Sequence, residues 1–217
     1  MKKYALPTRK QCLRMLKEHR VPSHIVRHSL TVAKLAVFLA ERLKEKGVPV
    51  DVALVDRACL LHDIFRICDF KQSDDGKAEQ NTTWKSKAKR QQIKSHEDAA
   101  YDLLKEKYPV LALTVKKHRY SALLDEKERP HTCEEKLVYY ADKRVMHDRI
   151  VPLKQRLEEA HKRNAPRPKA QGGIDPAKID RLIYKLEEEI FSKIELNPDE
   201  VTSDFINSYD NPLTTKD

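Results

Sequence analysis

The chain has 217 residues, of which 35% are charged and only 6% aromatic, and it contains 4 glycines. This composition favours a helix-rich single domain over a sheet, and so few glycines argue against a glycine-rich phosphate loop. The formal net charge of +9 predicts anionic partners, while no apolar stretch approaches the roughly 20 residues that a membrane span needs.

Two helices with the 3.6-residue period are predicted first, over residues 8–20 and 23–46. Pro22 separates them, and Gly47 ends the second. An inward stripe in the second helix contains one imidazole, His28, which predicts a polar group in the core. The apolar members of that stripe are Ile25, Val32, Leu35, Leu39 and Leu43.

The third predicted helix, residues 51–65, has Asp51 as its N-cap and ends near the dipeptide His62-Asp63. His62 shares a face with apolar residues and should point inward. Cys59 lies on the same face, and we interpret it as core because a structural zinc site would need a second such pair. The 4 cysteines lack Cys-x-x-Cys spacing, which predicts reduced thiols and a cytoplasmic setting.

A polar segment of about residues 66–94 follows, with few apolar residues. Loops of this length inside a compact domain are usually functional or disordered. We therefore interpret the segment either as a lid over the site or as a solvated surface excursion. Its Trp84, the chain's only tryptophan, would either stack on a base or anchor the loop to the core.

Helices are predicted to resume over residues 95–107 and 109–118. His96 opens the first of these helices, and His118 ends the second. An exposed histidine is ordinary at a helix end, so each of the two is either a surface residue or a metal ligand.

A helix over residues 132–149 is predicted to begin with a capping box of Thr132 and Glu135. Asp142 lies on its inward face, where an ionised carboxylate is costly to bury without a cation. Together with the two inward histidines, this aspartate predicts a shared metal site. A second copy of the dipeptide, His147-Asp148, lies among charged residues and is interpreted as a solvated helix face.

A further helix is predicted over residues 152–163, which places the main helical domain at residues 1–163. Prolines and glycines mark residues 164–176 as a linker. An amphipathic helix over residues 177–196 then either packs on the domain or pairs with a second copy in a homodimer. The remainder, residues 197–217, is predicted to be a flexible tail.

The order of the candidate ligands resembles that of the HD superfamily of metal-dependent phosphohydrolases, in the subset with two extra histidines and a two-metal centre. In chain order the ligands are His28, His62, Asp63, His96, His118 and Asp142. The resemblance covers roughly residues 20–155 and implies an all-α HD-type domain. It also implies that His28, His62 and both aspartates hold one divalent ion, while Asp63 bridges to a second ion completed by His96 and His118. Manganese, iron, cobalt, nickel, zinc and magnesium all remain open as the metal.

Two cations near this set are candidates for binding phosphate. Where many relatives read His-Asp-Ile-Gly-Lys, this chain has Phe65 and Arg66 in the last two places. Arg66 either grips a phosphate or forms a surface salt bridge, and the bulk of Phe65 would shift substrate choice. Lys143 rather than Arg144 is predicted to face the site, because consecutive helical residues point about 100° apart.

The predicted function is hydrolysis of a phosphoester or phosphoanhydride by metal-activated water, with Asp63, Arg66 and Lys143 as catalytic residues. A nucleotide is the favoured substrate because of the positive charge and the aromatic side chains of Trp84 and Phe65. One alternative is a nucleic-acid-binding protein that uses the basic segment 85–94. Another is a metal-loaded regulatory protein without turnover.

Overall fold

The computed structural model describes residues 4–69, 95–164 and 175–208. Apart from one short two-stranded hairpin, the regular secondary structure of these residues is helical, which confirms the predicted all-α fold class. Helices α1 to α3 are Arg9–Glu18, Ser23–Glu45 and Val52–Leu61. Helices α4 to α6 are His96–Leu104, Pro109–Lys116 and Cys133–Asp142. Helices α7 to α9 are Leu153–Asn164, Pro176–Phe191 and Ser203–Asn207. Short 3₁₀ helices cover Arg66–Asp69, Tyr120–Leu124 and Pro198–Glu200.

Several helix ends follow the predicted local chemistry. The side chain of Asp51 accepts a hydrogen bond from the amide of Leu54 and so caps α3. Thr132 and Glu135 form the complete capping box that begins α6. Gly47 follows the end of α2 with φ of +82°, a left-handed conformation that glycine adopts without steric cost.

Helix α2 lies at the centre of the fold and contacts α3, α6 and α9. Its inward stripe is buried as predicted, so it supplies much of the core. The residues of this stripe that are 0% exposed are Val32, Leu35 and Leu39. Helix α3 packs along α2 and also contacts α1, α5 and α6. The carboxyl end of α3 is therefore surrounded by other helices.

The predicted helix over residues 132–149 is wrong beyond Asp142. The chain instead forms an antiparallel hairpin of two strands, β1 (Val145–Met146) and β2 (Arg149–Ile150). Its turn contains the second dipeptide, with His147 in the left-handed region at φ of 58°. This dipeptide is exposed, but it lies in a turn and not on a helix face. Strands of two residues are too short to show the alternating pattern that reveals a strand in a sequence.

The C-terminal region folds back on the domain. Helix α8 contacts α6 and the Tyr120–Leu124 helix, and its buried residues are Ile179, Ile183, Leu186, Glu187, Ile190 and Phe191. The chain beyond Leu196, predicted to be flexible, is ordered through residue 208. Val201 and Ile206 are each 1% exposed and join the core. Two well-placed apolar residues therefore anchor a segment whose overall composition is polar.

Residues 1–3, 70–94, 165–174 and 209–217 lie outside the described part of the chain. Trp84, the basic segment 85–94 and most of the predicted linker fall in these ranges. The division at residues 163 and 176 therefore stays a prediction. Among the described residues, no helix is both long enough and apolar enough to cross a membrane.

Candidate metal centre

Five helices bring all six predicted ligands to one region. His28 lies in the second turn of α2, and the pair His62-Asp63 directly follows α3. His96 is the first residue of α4, His118 lies just beyond α5, and Asp142 is the last residue of α6.

The first cluster, which we call the α2–α3 group, consists of His28, His62 and Asp63. One potential ligand atom from each residue lies within 4.8 Å of the others. Asp142 borders this group, because its Oδ1 is 3.1 Å from Nε2 of His28 and 3.6 Å from Nε2 of His62. The group therefore offers imidazole nitrogens and carboxylate oxygens around one point.

The second cluster, the α4–α5 group, consists of Asp63, His96 and His118, again with ligand atoms within 4.8 Å of one another. Oδ1 of Asp63 is 3.2 Å from Nε2 of His96 and 3.6 Å from Nε2 of His118. The other oxygen, Oδ2, lies 3.6 Å from Nε2 of His62. Asp63 thus belongs to both groups and presents a different oxygen to each.

Backbone carbonyls orient three of the four histidines. Nδ1 of His62 lies 2.7 Å from the carbonyl of Cys59, and Nδ1 of His118 lies 2.6 Å from that of Val115. In His28, Nδ1 is 2.8 Å from the carbonyl of residue 147 in the hairpin turn. A carbonyl can only accept, so each of these Nδ1 atoms carries the proton. The other nitrogen of each ring, Nε2, faces the aspartates, which is how metal-binding histidines present their ligand atom.

The donor atoms fit a divalent cation. Nε2 of His62 is buried and has no hydrogen-bond partner among the described residues. Nε2 atoms of His96 and His118 face each other at 3.2 Å, a distance at which two lone pairs repel unless a proton or cation lies nearby. Mixed imidazole and carboxylate ligation suits borderline divalent metals. A cation would therefore interact favourably with all of these nitrogen atoms, whereas their contacts with one another are unfavourable.

Electrostatics favour ionised carboxylates at the centre. Burial by itself raises the pKa of Asp63, but the facing imidazoles of His62, His118 and His96 hold that pKa well below its usual range. The pKa of Asp142 is likewise held well below its usual range against burial, chiefly by Lys143. Both side chains are therefore anionic at neutral pH, which is the form that binds metal.

The HD domain family model matches residues 25–146, a span that includes every one of the six converging residues. The chain belongs to the HD domain family. This match confirms the resemblance seen in the order of the ligands. HD domains bind divalent metals, and the two groups described above are where this HD domain could hold them.

A similar protein is the tRNA (cytidine(56)-2'-O)-methyltransferase of Picrophilus torridus, which is 28% identical over 211 residues. The alignment covers 92% of this chain and 51% of that protein, so the HD domain chain spans about half the length of its relative. No solved structure matches the chain.

The predicted cations of the HD domain lie beside the ligands. Nζ of Lys143 is 2.5 Å from Oδ2 of Asp142 and 3.1 Å from the carbonyl of His118, so it lies between the two groups. Nη1 of Arg66 lies 3.4 Å from Nδ1 of His96. Arg144 points away and is fully buried beneath the C-terminal segment, as the 100° rotation between consecutive residues requires.

Phe65 does not lie where a substrate base could stack on it. Its side chain is 1% exposed, and its ring packs edge-on against His19 at 5.1 Å. The aromatic contact predicted for this residue is therefore wrong, because the ring belongs to the core. Trp84, the other aromatic candidate, lies outside the described residues.

Sequence reasoning missed two contributors to the site. The exposed turn at His147 supplies a backbone carbonyl, which no side-chain pattern reveals. Glu97 is the second contributor, since it is 6% exposed and its Oε2 lies 3.4 Å from Nδ1 of His96. Against the effect of burial, the imidazoles of His96 and His118 lower the pKa of Glu97 to about 2. Its position directly after a candidate ligand was the available signal.

Proposed function

We propose that this HD domain protein is a metal-dependent phosphohydrolase that cleaves a phosphoester or phosphoanhydride bond in a nucleotide. The observation that carries the proposal is the position of Asp63, whose two carboxylate oxygens face different histidines. A single carboxylate shared in this way is suited to hold two cations close together. Two-metal sites of this kind support in-line displacement at phosphorus.

The α2–α3 group together with Asp142 would hold one ion, and the α4–α5 group would hold the other. Bound there, divalent ions acidify a water and offset negative charge on phosphoryl oxygens. The chain's part is to aim the Nε2 atoms at the metal positions. Carbonyl partners fix three of these rings, and the buried setting excludes competing water.

Lys143 and Arg66 would bind the substrate's phosphate. An ammonium group has three N–H donors, and Nζ of Lys143 uses two, on Asp142 and on the carbonyl of His118. The third donor would bind a phosphate oxygen of the substrate. Arg66 lies on the His96 side, where its planar guanidinium can pair with two phosphate oxygens. The net charge of +9 favours an anionic substrate of this kind.

The test compares two matched aspartates, since the chain carries two His-Asp pairs. Metal content is measured on wild-type protein purified without chelator, and phosphate or nucleotide release is then followed over nucleoside monophosphates, cyclic nucleotides and dinucleoside polyphosphates. Loss of an outer-sphere partner of a metal ligand lowers activity by about 10- to 100-fold. Because Asp63 is itself a proposed ligand, Asp63→Asn should lower activity by more than this. Asp148→Asn, which alters an exposed ion pair with Arg27, should keep wild-type activity. Equal activity in both variants would refute the assignment.

A second candidate function is RNA binding. The observation that favours it is similarity along 92% of the chain to a protein named for tRNA methylation. The net charge of +9 is compatible with phosphate-backbone contacts. Mobility-shift assays with tRNA at 50 and 200 mM salt would separate the two proposals. Binding that weakens steeply with salt, with no metal-dependent hydrolysis, would favour RNA binding. Bound metal without either activity would indicate a regulatory protein.

A further inference from the structure

Three of the candidate histidine ligands share one kind of partner, and the fourth differs. Nδ1 of His28, His62 and His118 each faces a neutral backbone carbonyl. Nδ1 of His96 lies 3.4 Å from Oε2 of Glu97, with Nη1 of Arg66 at the same distance from it. The chain therefore places an anionic carboxylate behind one ring of the α4–α5 group and carbonyls behind the other three rings.

Other side chains hold Glu97 in this position. The carboxylate is 6% exposed, and its Oε2 lies 3.8 Å from Nε of Arg119. That guanidinium is itself fixed, because its Nη2 donates to Oγ of Ser95 at 2.8 Å and to Oδ2 of Asp98 at 3.1 Å. Nε of Arg119 is buried without a hydrogen-bond partner among the described residues. The guanidinium therefore interacts with the carboxylate of Glu97 through charge and not through a hydrogen bond.

The two groups differ in the number of carboxylates that lie close to them. The α2–α3 group has two carboxylates at hand, Asp63 and the adjoining Asp142. Among the residues that the structure describes, the α4–α5 group contains one direct carboxylate, that of Asp63. Glu97 supplies a second negative charge to this group indirectly, because it contacts the His96 ring and not the ion position. A carboxylate behind an imidazole also fixes the Nδ1–H tautomer and increases the basicity of Nε2.

We propose that Glu97 is a positioning residue that acts through His96 and sets the affinity of the α4–α5 group for its divalent ion, with little effect on the α2–α3 group. This inference rests on the proposed function, because it needs ions to bind at the two groups. Glu97 does not touch the ion or the substrate. Its effect is selective for one of two neighbouring sites.

The experiment titrates metal-free protein with Co²⁺ and follows both heat and visible absorption, so the readout is independent of turnover. Wild type should bind two ions per chain. Glu97→Gln should bind the first ion within about twofold of wild type and the second about 10- to 100-fold more weakly. Asp102→Asn is the matched control, since it removes the same charge from an exposed position on α4 that pairs with Lys105. It should leave both affinities unchanged.

A double mutant tests whether Glu97 acts through the imidazole. In a His96→Gln background, Glu97→Gln should cause no further loss at the second site, because the group it orients is already gone. Glu97→Asp, which keeps the charge but shortens its reach, should lie between wild type and Glu97→Gln. It also serves as the test variant if Glu97→Gln does not fold by circular dichroism.

The outcomes separate this inference from the proposed function. If wild type binds two ions and Glu97→Gln binds both equally well, the positioning role is refuted and the metal centre stands. If Glu97→Gln weakens both sites to the same extent, its effect is general and the selective role is refuted. If wild type binds no Co²⁺, both proposals fall together.

Discussion

Replacing Arg144 by methionine removes a buried cation and leaves its partners behind. The guanidinium is 0% exposed and lies 3.4 Å from the carboxylate of Glu187. It also donates to one hydroxyl and three carbonyls, those of Tyr140, Val151, Pro198 and Val201. These contacts join the end of α6 to α8 and to the C-terminal segment. Methionine fills much of the volume but donates no hydrogen bond.

Removal of one partner from a buried ion pair costs about 3 to 5 kcal/mol, because the remaining charge is left uncompensated. A domain of this size loses about 2 to 4 °C of Tm per kcal/mol, so Tm should fall by about 6 to 20 °C. We expect this loss in thermal and urea unfolding of metal-free protein, followed by circular dichroism at 222 nm.

The loss should also depend on pH. Burial already raises the pKa of Glu187, and Tyr140 and Arg144 oppose this rise. Without Arg144, the folded-state pKa of Glu187 should increase further above its unfolded value. A group with a raised pKa contributes stability at low pH that is lost as the pH rises through the folded pKa. The deficit of Arg144→Met relative to wild type should therefore be smaller at pH 5 than at pH 8.

Two controls make this result interpretable. Arg27→Met removes an ion pair with Asp148 in which both side chains are largely exposed, so it should cost no more than about 1 kcal/mol. The double variant Arg144→Met/Glu187→Met leaves no unpaired buried charge and should recover part of the loss. If Arg144→Met is no less stable than Arg27→Met, the reasoning about the buried pair is refuted.

Three further predictions concern metal, thiols and one glycine. Mn²⁺ at about 100 times its Kd should stabilise wild type by about 2.7 kcal/mol for each site, which is measured as a rise in Tm. A similar rise in Asp63→Asn would contradict the role of Asp63 as a ligand shared by both sites. Burial raises the pKa of Cys12 to about 12 and that of Cys133 to about 11. Iodoacetamide at pH 8, mapped by mass spectrometry, should therefore label both thiols slowly in native protein and fully in urea; fast native labelling of either would be unexpected. Gly47→Ala should lower the free energy of unfolding in urea by about 1 kcal/mol, because φ at this position is +82°. An added Cβ meets no atom within 4 Å, so backbone strain alone causes this loss. Unchanged stability would argue against that strain.

Local chemistry made much of the fold predictable. The helical period, the cap at Asp51 and the capping box at Thr132 depend only on residues within a few positions of each other. The same period showed that His28, His62 and Asp142 face inward. Because a polar group on a buried face needs a partner, their convergence could be inferred before any contact was known.

Features that depend on contacts distant in sequence were not predictable in this way. The helix beginning at Thr132 was predicted to continue to Arg149, since nothing in the adjoining residues marks the two-residue strands of the hairpin. The order of the segment beyond Leu196 depends on Val201 and Ile206 reaching the core and on the carbonyls that accept from Arg144. The position of the Glu97 side chain likewise depends on a contact distant in sequence. Its carboxylate lies 3.8 Å from Nε of Arg119, a residue beyond the end of α5.

The direction of the helices has a consequence for the order of binding. Helices α3, α5 and α6 all bring their carboxyl ends to the centre, while α4 brings its amino end. The carboxyl end of a helix carries a partial negative charge from its unpaired carbonyls. Three such macrodipole ends attract cations and repel phosphate. Under the proposed function, a phosphorylated substrate would therefore bind after cations have reversed the local potential, so metal loading would precede substrate binding.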